Sequence, residues 1–177
     1  IFARPRSRNA RFYIRDNFLR SWLGSLSVAV SAVNFRPVDT LVIEADQRLK
    51  TAEGHGLERL ASTLYEERSK KKVGDFSLDH MVSGYWDRSG TELDLVAVDE
   101  SGERLRIGSC KRNPQRLVAD LANFEGHVAR FMAAFPRYES WRIEKVAIAP
   151  RHSSETRKAC ERHGFLPQDL SDLTAGL

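Results

Sequence analysis

The stretch TELDLVAVDESGERLRIGSCK, residues 91–111, decides the fold. Its two arms, residues 91–98 and 104–111, are rich in the branched aliphatic side chains that favour β-strands. Residues 99–102 between the arms combine short polar side chains with Gly102, which favours the positive φ of a tight turn. The sequence therefore predicts an antiparallel hairpin.

Three charged residues are out of place for a buried sheet, namely Glu92, Asp94 and Lys111, and the polar Ser109 lies two residues before the lysine. Because successive side chains of a strand alternate between its faces, Glu92 shares a face with Asp94, and Ser109 shares one with Lys111. A four-residue loop places Glu92 opposite Ser109, and all four side chains then point the same way. A slip of one residue would put Asp94 and Lys111 on opposite faces.

A carboxylate beside a lysine at the end of a strand suits metal-assisted cleavage of a phosphodiester. The carboxylate binds Mg²⁺, which stabilises the developing negative charge. The lysine holds the attacking water or the scissile phosphate. The alternative interpretation is an ordinary surface ion pair between Asp94 and Lys111, worth roughly 0–1 kcal/mol.

Composition bounds the function without deciding it. The chain has 177 residues, a net charge of +4 and a pI near 9.3, which is compatible with binding nucleic acid. Its two cysteines, Cys110 and Cys160, lack metal-site spacing and fit a reducing cytoplasm. The sequence contains no signal peptide and no apolar run long enough to span a bilayer, so we expect a cytoplasmic protein without a membrane partner. Because the sequence begins at Ile1, we expect it to be part of a longer polypeptide.

Periodicity and capping residues predict the remaining elements. In chain order, we expect helices over 18–26 and 41–50, a segment over 27–37 that is compatible with a helix or a strand and favours the helix, a helix over 57–65, a strand over 76–86, the hairpin, a helix over 114–135, a strand over 141–149 and a helix over 155–163. Asp16 caps the first helix, Gly54 and Gly56 flank a break, and the tail from Asp169 is peripheral.

The predicted order gives an α/β fold with a mixed sheet flanked by helices. The long helix after the hairpin suits a crossover, so the strands on either side of it are expected to be parallel. Residues 1–50 form a basic arm and a helical N-terminal extension. Residues 51–177 form the α/β domain.

This order of elements and the hairpin residues resemble the restriction-endonuclease-like fold of the PD-(D/E)-X-K nuclease superfamily. A closer resemblance covers nearly the whole chain: it looks like the C-terminal domain that follows a P-loop ATPase domain in archaeal-type ATPases of bacteria and archaea. Four segments carry this resemblance in the same order, namely FYIRDNFLRSW at 12–22, Gly56-Leu57-Glu58, Tyr85-Trp86 before Glu92–Val96, and Gly108-Ser109-Cys110-Lys111.

The resemblance implies a metal-dependent nuclease site. Asp94 would bind Mg²⁺ or Mn²⁺, with Glu58 or Glu92 as a further ligand, and Lys111 would lie beside the attacking water. It also implies an upstream P-loop ATPase domain in the same polypeptide. The present sequence contains no Gly-x-x-x-x-Gly-Lys-Ser/Thr loop, so these residues are not expected to hydrolyse ATP by that route.

One position departs from the family pattern. The family has an acidic residue where this sequence has Ser109, and a neutral hydroxyl is a poorer Mg²⁺ ligand than a carboxylate. Three interpretations remain open. The domain has lost cleavage and kept its scaffold, or another acid such as Glu92, Asp120 or Glu58 has taken over, or the serine is an introduced substitution.

The predicted function is therefore a nuclease-like domain of a P-loop ATPase that binds nucleic acid, DNA in particular, with its cleavage activity in doubt. The candidate phosphate contacts are Lys70, Lys71, Lys72, Arg112 and Arg116. The alternative is a non-catalytic protein-interaction or regulatory domain that docks onto its own ATPase through Phe12, Tyr13, Phe18 and Trp22.

Overall fold

The structure is a computed structural model that describes Ile14 and residues 16–177, apart from the side chains of Asn17 and Glu53. The predicted basic arm lies outside the described residues. The chain divides into two units, one that ends at Gly56 and one that spans Leu57–Leu177. None of the helices in the described part of the chain is long and apolar enough to cross a bilayer.

The first unit is helical. Asp16 caps its first helix by accepting a hydrogen bond from the Leu19 N–H at 2.7 Å, as predicted. The elements are α1 (Asn17–Ser21), a π-helical turn (Trp22–Leu26), α2 (Ser27–Ser31) and the first part of α3 (Val38–Lys70). The predicted break at Gly54 and Gly56 is wrong, because α3 runs through both. Each glycine costs a helix only about 1 kcal/mol, which the rest of a 33-residue helix can offset.

The second unit contains a mixed sheet, as predicted. Its strands are β1 (Ser83–Trp86), β2 (Glu92–Asp99), β3 (Arg104–Cys110), β4 (Arg142–Ile148) and β5 (Leu166–Gln168), in the spatial order β1-β2-β3-β4-β5. The first three strands are antiparallel neighbours, and β3, β4 and β5 run parallel. The strand predicted over 76–86 is shorter, since only its last four residues pair.

Three further helices follow the hairpin: α4 (Pro114–Ala134), α5 (Ser154–Arg162) and α6 (Leu170–Thr174). Asn113 caps α4 by accepting hydrogen bonds from the N–H groups of Gln115 and Arg116. The expectation of a peripheral tail from Asp169 is wrong, because Asp169 is buried and Leu173 of α6 belongs to the core.

Helices pack on the sheet and bury its apolar side chains. The core on the α3 face is formed by Leu57, Ala61, Tyr65, Phe76, Val82, Leu95, Ala97, Cys110, Val146, Ile148 and Leu173. The crossover helix α4 buries its own stripe, which is Leu117, Leu121, Phe124, Val128 and Phe131. Because α4 links β3 to the parallel strand β4, it carries the chain across the sheet, as a crossover connection requires.

A buried ion pair lies within this sheet. Arg106 of β3 is 1% exposed, and its guanidinium donates hydrogen bonds to Glu144 at 2.6 and 2.9 Å and to Asp75 at 2.6 and 3.3 Å. The ring of Phe76 lies 4.5 Å from the guanidinium carbon. The charge is therefore satisfied on several sides, as a buried arginine requires.

The hairpin turn differs from the prediction in its details. The loop comprises residues 100–103, and the positive φ belongs to Glu103, at 49°, whereas Gly102 was expected to adopt it. Gly102 instead lies against the Asp99 carboxylate. Its N–H donates to Asp99 Oδ1 at 2.8 Å, and a Cβ at this position would lie 2.6 Å from Asp99 Oδ2.

Candidate functional site

The register of the hairpin brings the predicted polar residues together. Leu95 pairs with Gly108, which shifts the strands by two residues from the predicted register. A shift of two keeps every side chain on its predicted face, because the alternation of side chains has a period of two. Continuing the pairing by one residue places Asp94 beside Ser109, where Glu92 had been expected.

Strands β2 and β3 separate at this end of the sheet. Their backbone pairing stops at Leu95 and Gly108, whereas β3 stays paired with β4 as far as Cys110 and Ile148. We call the gap between residues 92–94 and residues 109–111 the fork. It lies where β2 begins and β3 ends.

The carboxylate of Asp94 fills the fork. Its Oδ2 accepts a hydrogen bond from the Cys110 N–H at 2.8 Å and another from the Ser109 hydroxyl at 3.3 Å. The Nζ atom of Lys111 lies 3.6 Å from the same oxygen. The Asp94 side chain is 10% exposed and that of Lys111 is 42% exposed, so the lysine forms the solvent-facing side of the pair.

Glu58 of α3 lies within electrostatic reach of the fork. Burial raises the pKa of the Cys110 thiol well above 9, and the negative charges of Asp94 and Glu58 raise it further, against the opposing effect of Lys111. The thiol therefore stays neutral at physiological pH. A neutral, buried thiol is not a nucleophile, so Cys110 has a structural role.

The donor set does not fit a magnesium or manganese centre. Within the part of the chain that the structure describes, no three His, Cys, Asp or Glu side chains come together as metal ligands. The Ser109 hydroxyl is neutral, and Oδ2 of Asp94 already accepts two hydrogen bonds. The predicted metal roles of Glu58 and Glu92 therefore have no shared ligand cluster to support them.

The predicted basic residues fall into two groups. Arg112 and Arg116 are exposed; Arg112 follows Lys111 directly, at the edge of the fork, and Arg116 lies in the first turn of α4. The lysine run begins five residues after Tyr65. The Tyr65 ring lies beside Arg106, which is four residues before Cys110 on β3 and so away from the fork. The run comprises Lys70, Lys71 and Lys72. Because a helix rises 1.5 Å per residue, Lys70 lies about 18 Å along α3 from Glu58. Lys70 also forms an ion pair with Glu67 at 2.8 Å. The structure does not bring this lysine run to the fork.

Two residues of α4 that the sequence did not indicate also reach this end of β2. His127 Nδ1 accepts a hydrogen bond from the Glu92 N–H at 2.9 Å, and Arg130 Nε donates to Thr91 Oγ1 at 3.0 Å. Their spacing of three residues places them on one side of α4. That spacing carries no functional signal in the sequence, because polar residues at helical intervals are typical of any exposed helix face.

The chain matches no protein-family model, no curated protein and no solved structure. The resemblance to archaeal-type ATPase C-terminal domains therefore stays a prediction from the motifs. The functional argument rests on the geometry of the fork and on the charges around it.

Proposed function

We propose that this chain is a nuclease-like domain that binds nucleic acid, and DNA in particular, at the fork and does not cleave it through bound metal. The observation that carries the proposal is the Lys111 Nζ atom, which lies 3.6 Å from Asp94 on the solvent side of the fork. The same Asp94 oxygen accepts from the hydroxyl of Ser109, which stands where the resemblance calls for an acid.

Lys111 has the capacity to bind a phosphate while it remains paired with Asp94. An ammonium group carries three N–H donors. Asp94 does not accept from all of them, so a donor remains for a phosphate oxygen. The exposed side chains of Arg112 and Arg116 extend the positive charge onto α4. Contacts of this kind read the phosphate backbone, so the expected binding is independent of base sequence and falls steeply with salt.

The neutral residue beside Asp94 argues against cleavage. Mg²⁺ in phosphoryl-transfer sites is held by carboxylates that compensate its charge, and the residue beside Asp94 is a neutral serine. Asp94 has another role in the described contacts, because its carboxylate satisfies the Cys110 N–H at the point where β2 and β3 separate.

The test is fluorescence anisotropy with a labelled DNA duplex in EDTA. Lys111→Gln should weaken binding about fivefold and lower the slope of log affinity against log salt by about one. Arg142→Gln is the matched control. Arg142 is exposed and lies at the first position of β4, opposite Arg104 in the strand register and at the end of the strand away from the fork. Wild-type affinity in Lys111→Gln would contradict DNA binding at the fork. Asp94-dependent cleavage with Mg²⁺ would contradict the absence of catalysis.

A second candidate function is docking onto the upstream ATPase domain that the resemblance implies. Its support is the exposure of large apolar side chains in the first unit, where Phe18 is 75% and Phe35 is 85% exposed. Trp22 is also exposed, at 36%, whereas Phe12 and Tyr13 lie outside the described residues.

Calorimetric titration of the chain with the separately produced ATPase domain tests this docking. Phe18→Ser combined with Phe35→Ser should abolish the heat of binding. Met81→Ser, which changes a 75% exposed side chain in the second unit, should not. Equal binding by all three proteins would remove this candidate.

A further inference from the structure

A cationic side chain and an imidazole of α4 contact Thr91, just before β2, and Glu92, its first residue, next to the fork. The Arg130 Nε atom donates to the hydroxyl of Thr91, which is 1% exposed, and His127 accepts from the Glu92 N–H. The two α4 residues are separated by about one helical turn, so their side chains lie side by side on the helix. Neither contact is needed to explain the apolar core.

The hydrogen bond from Glu92 fixes the tautomer of His127. A ring nitrogen that accepts a hydrogen bond carries no proton, so the proton of the neutral ring is on Nε2. The Nε2 atom points away from the strand, and the Asn123 Nδ2 atom, which is itself a donor, lies 3.5 Å from it and does not accept its proton. The backbone of β2 therefore holds His127 as a donor that faces outward.

The direction of the Glu92 N–H places this donor in the fork. Glu92 pairs with Trp86 of β1, yet its N–H goes to His127, so the N–H points away from β1 and toward the side where β3 lies. In an extended strand, residues two apart direct their N–H groups to the same side. The imidazole thus lies on the same side as the Asp94 contact with β3, about 7 Å along the strand.

Arg130 adds a charge at the same place. A guanidinium has five N–H donors, and Thr91 accepts one of them. The residue is exposed, and His127 precedes it by about one turn on α4. Planar guanidinium groups bind phosphate oxygens in pairs of parallel hydrogen bonds.

We propose that His127 and Arg130 form a second phosphate subsite, which holds the phosphodiester next to the one that Lys111 holds in the fork. The inference rests on the proposed function, because it assigns a second contact to the same bound nucleic acid. The two subsites lie along the start of β2, and a nucleic-acid strand would follow α4 across this end of the sheet.

Two variants test the subsite while preserving the local fold. His127→Asn keeps an acceptor oxygen close to the position of Nδ1, so the Glu92 N–H remains satisfied while the Nε2 donor is lost. Arg130→Gln keeps a donor for Thr91 and removes the charge. His163→Asn and Arg142→Gln are matched controls, because both change exposed residues away from the fork.

Anisotropy with the same DNA duplex in EDTA should show about fivefold weaker binding for each of His127→Asn and Arg130→Gln. Arg130→Gln should also lower the salt slope by about one, because one phosphate contact is lost. Both controls should bind like the wild type. Thermal melting of every variant verifies that the fold is intact.

Long-range ¹H–¹⁵N imidazole spectra give a readout independent of affinity. In the free protein, His127 should show a protonated Nε2 and an unprotonated Nδ1, and its Nε2 resonance should shift when the duplex is added. His163 should not shift. A His127 resonance unchanged at saturation would overturn the subsite.

The outcomes separate the subsite from the proposed function. If Lys111→Gln weakens binding while His127→Asn and Arg130→Gln bind like the wild type, the subsite is refuted and the function stands. If none of these variants changes affinity, both are refuted. If the α4 variants weaken binding and Lys111→Gln does not, DNA binding at the fork is refuted, and with it a subsite adjacent to a phosphate held by Lys111.

Discussion

Replacing Asp94 by Asn and by Ala separates the hydrogen-bonding role of this side chain from its charge. Oδ2 of Asp94 lies 2.8 Å from the N–H of Cys110, a residue that is 2% exposed. Asn keeps an acceptor oxygen in the same place, whereas Ala leaves a buried N–H unsatisfied. The free energy of unfolding should therefore fall by about 1–3 kcal/mol in Asp94→Ala and by less than about 1 kcal/mol in Asp94→Asn.

The same pair of variants has a distinct signature in DNA binding. A phosphate held by Lys111 would lie within about 5 Å of the Asp94 carboxylate, where repulsion at a water-like dielectric amounts to about 1 kcal/mol. Removing that charge in Asp94→Asn should tighten duplex binding in EDTA about fivefold. A metal-dependent centre requires the opposite, since loss of a ligand carboxylate would weaken metal-supported binding.

Urea denaturation followed by circular dichroism measures the stability change, and fluorescence anisotropy measures the affinity. The reasoning fails if Asp94→Ala is as stable as the wild type, because the carboxylate would then not be satisfying the Cys110 N–H. It also fails if Asp94→Asn binds DNA more weakly in EDTA.

Three further predictions concern single side chains. Ser109→Glu adds a carboxylate beside Asp94 and should create a metal site. Mn²⁺ at a concentration a hundredfold above its dissociation constant should then stabilise this variant by about 2.7 kcal/mol in thermal melts and leave the wild type unchanged. Equal responses of the two proteins would contradict the account of the missing acid. Arg106→Met breaks the buried pair with Glu144 and should cost about 3 kcal/mol in urea denaturation, part of which Glu144→Met should restore; an unchanged midpoint would contradict it. Burial raises the pKa of Tyr65 to about 12, so the folded state keeps this phenol neutral while the unfolded state ionises near pH 10. Stability should therefore fall by about 2–3 kcal/mol between pH 10 and 12, and Tyr65→Phe should lose less over that range.

The sequence predicts those parts of the fold that depend on local signals. The hairpin follows from two aliphatic arms joined by a polar turn, and α4 follows from the Asn113 cap and its apolar stripe. Local signals failed where tertiary packing decides the outcome. The glycines at 54 and 56 do not interrupt α3, and the three-residue strand β5 is formed by pairing with β4, which no periodicity could indicate.

The candidate site divides in the same way. Alternation along the strands was sufficient to place Asp94, Ser109 and Lys111 on one face, even though the predicted register was displaced by two residues. The contacts of His127 and Arg130 were not predictable, because they depend on the angle at which α4 crosses β2. That angle is set by packing between helix and sheet, which a single sequence does not encode in any local pattern.

The most direct test of the central claim is a crystal structure of the chain with a short DNA duplex, grown in EDTA. The account predicts a phosphate oxygen within hydrogen-bond distance of Lys111 Nζ, with the Asp94 carboxylate still accepting from the Cys110 N–H. DNA bound instead at Lys70, Lys71 and Lys72, with the fork left to solvent, would contradict it.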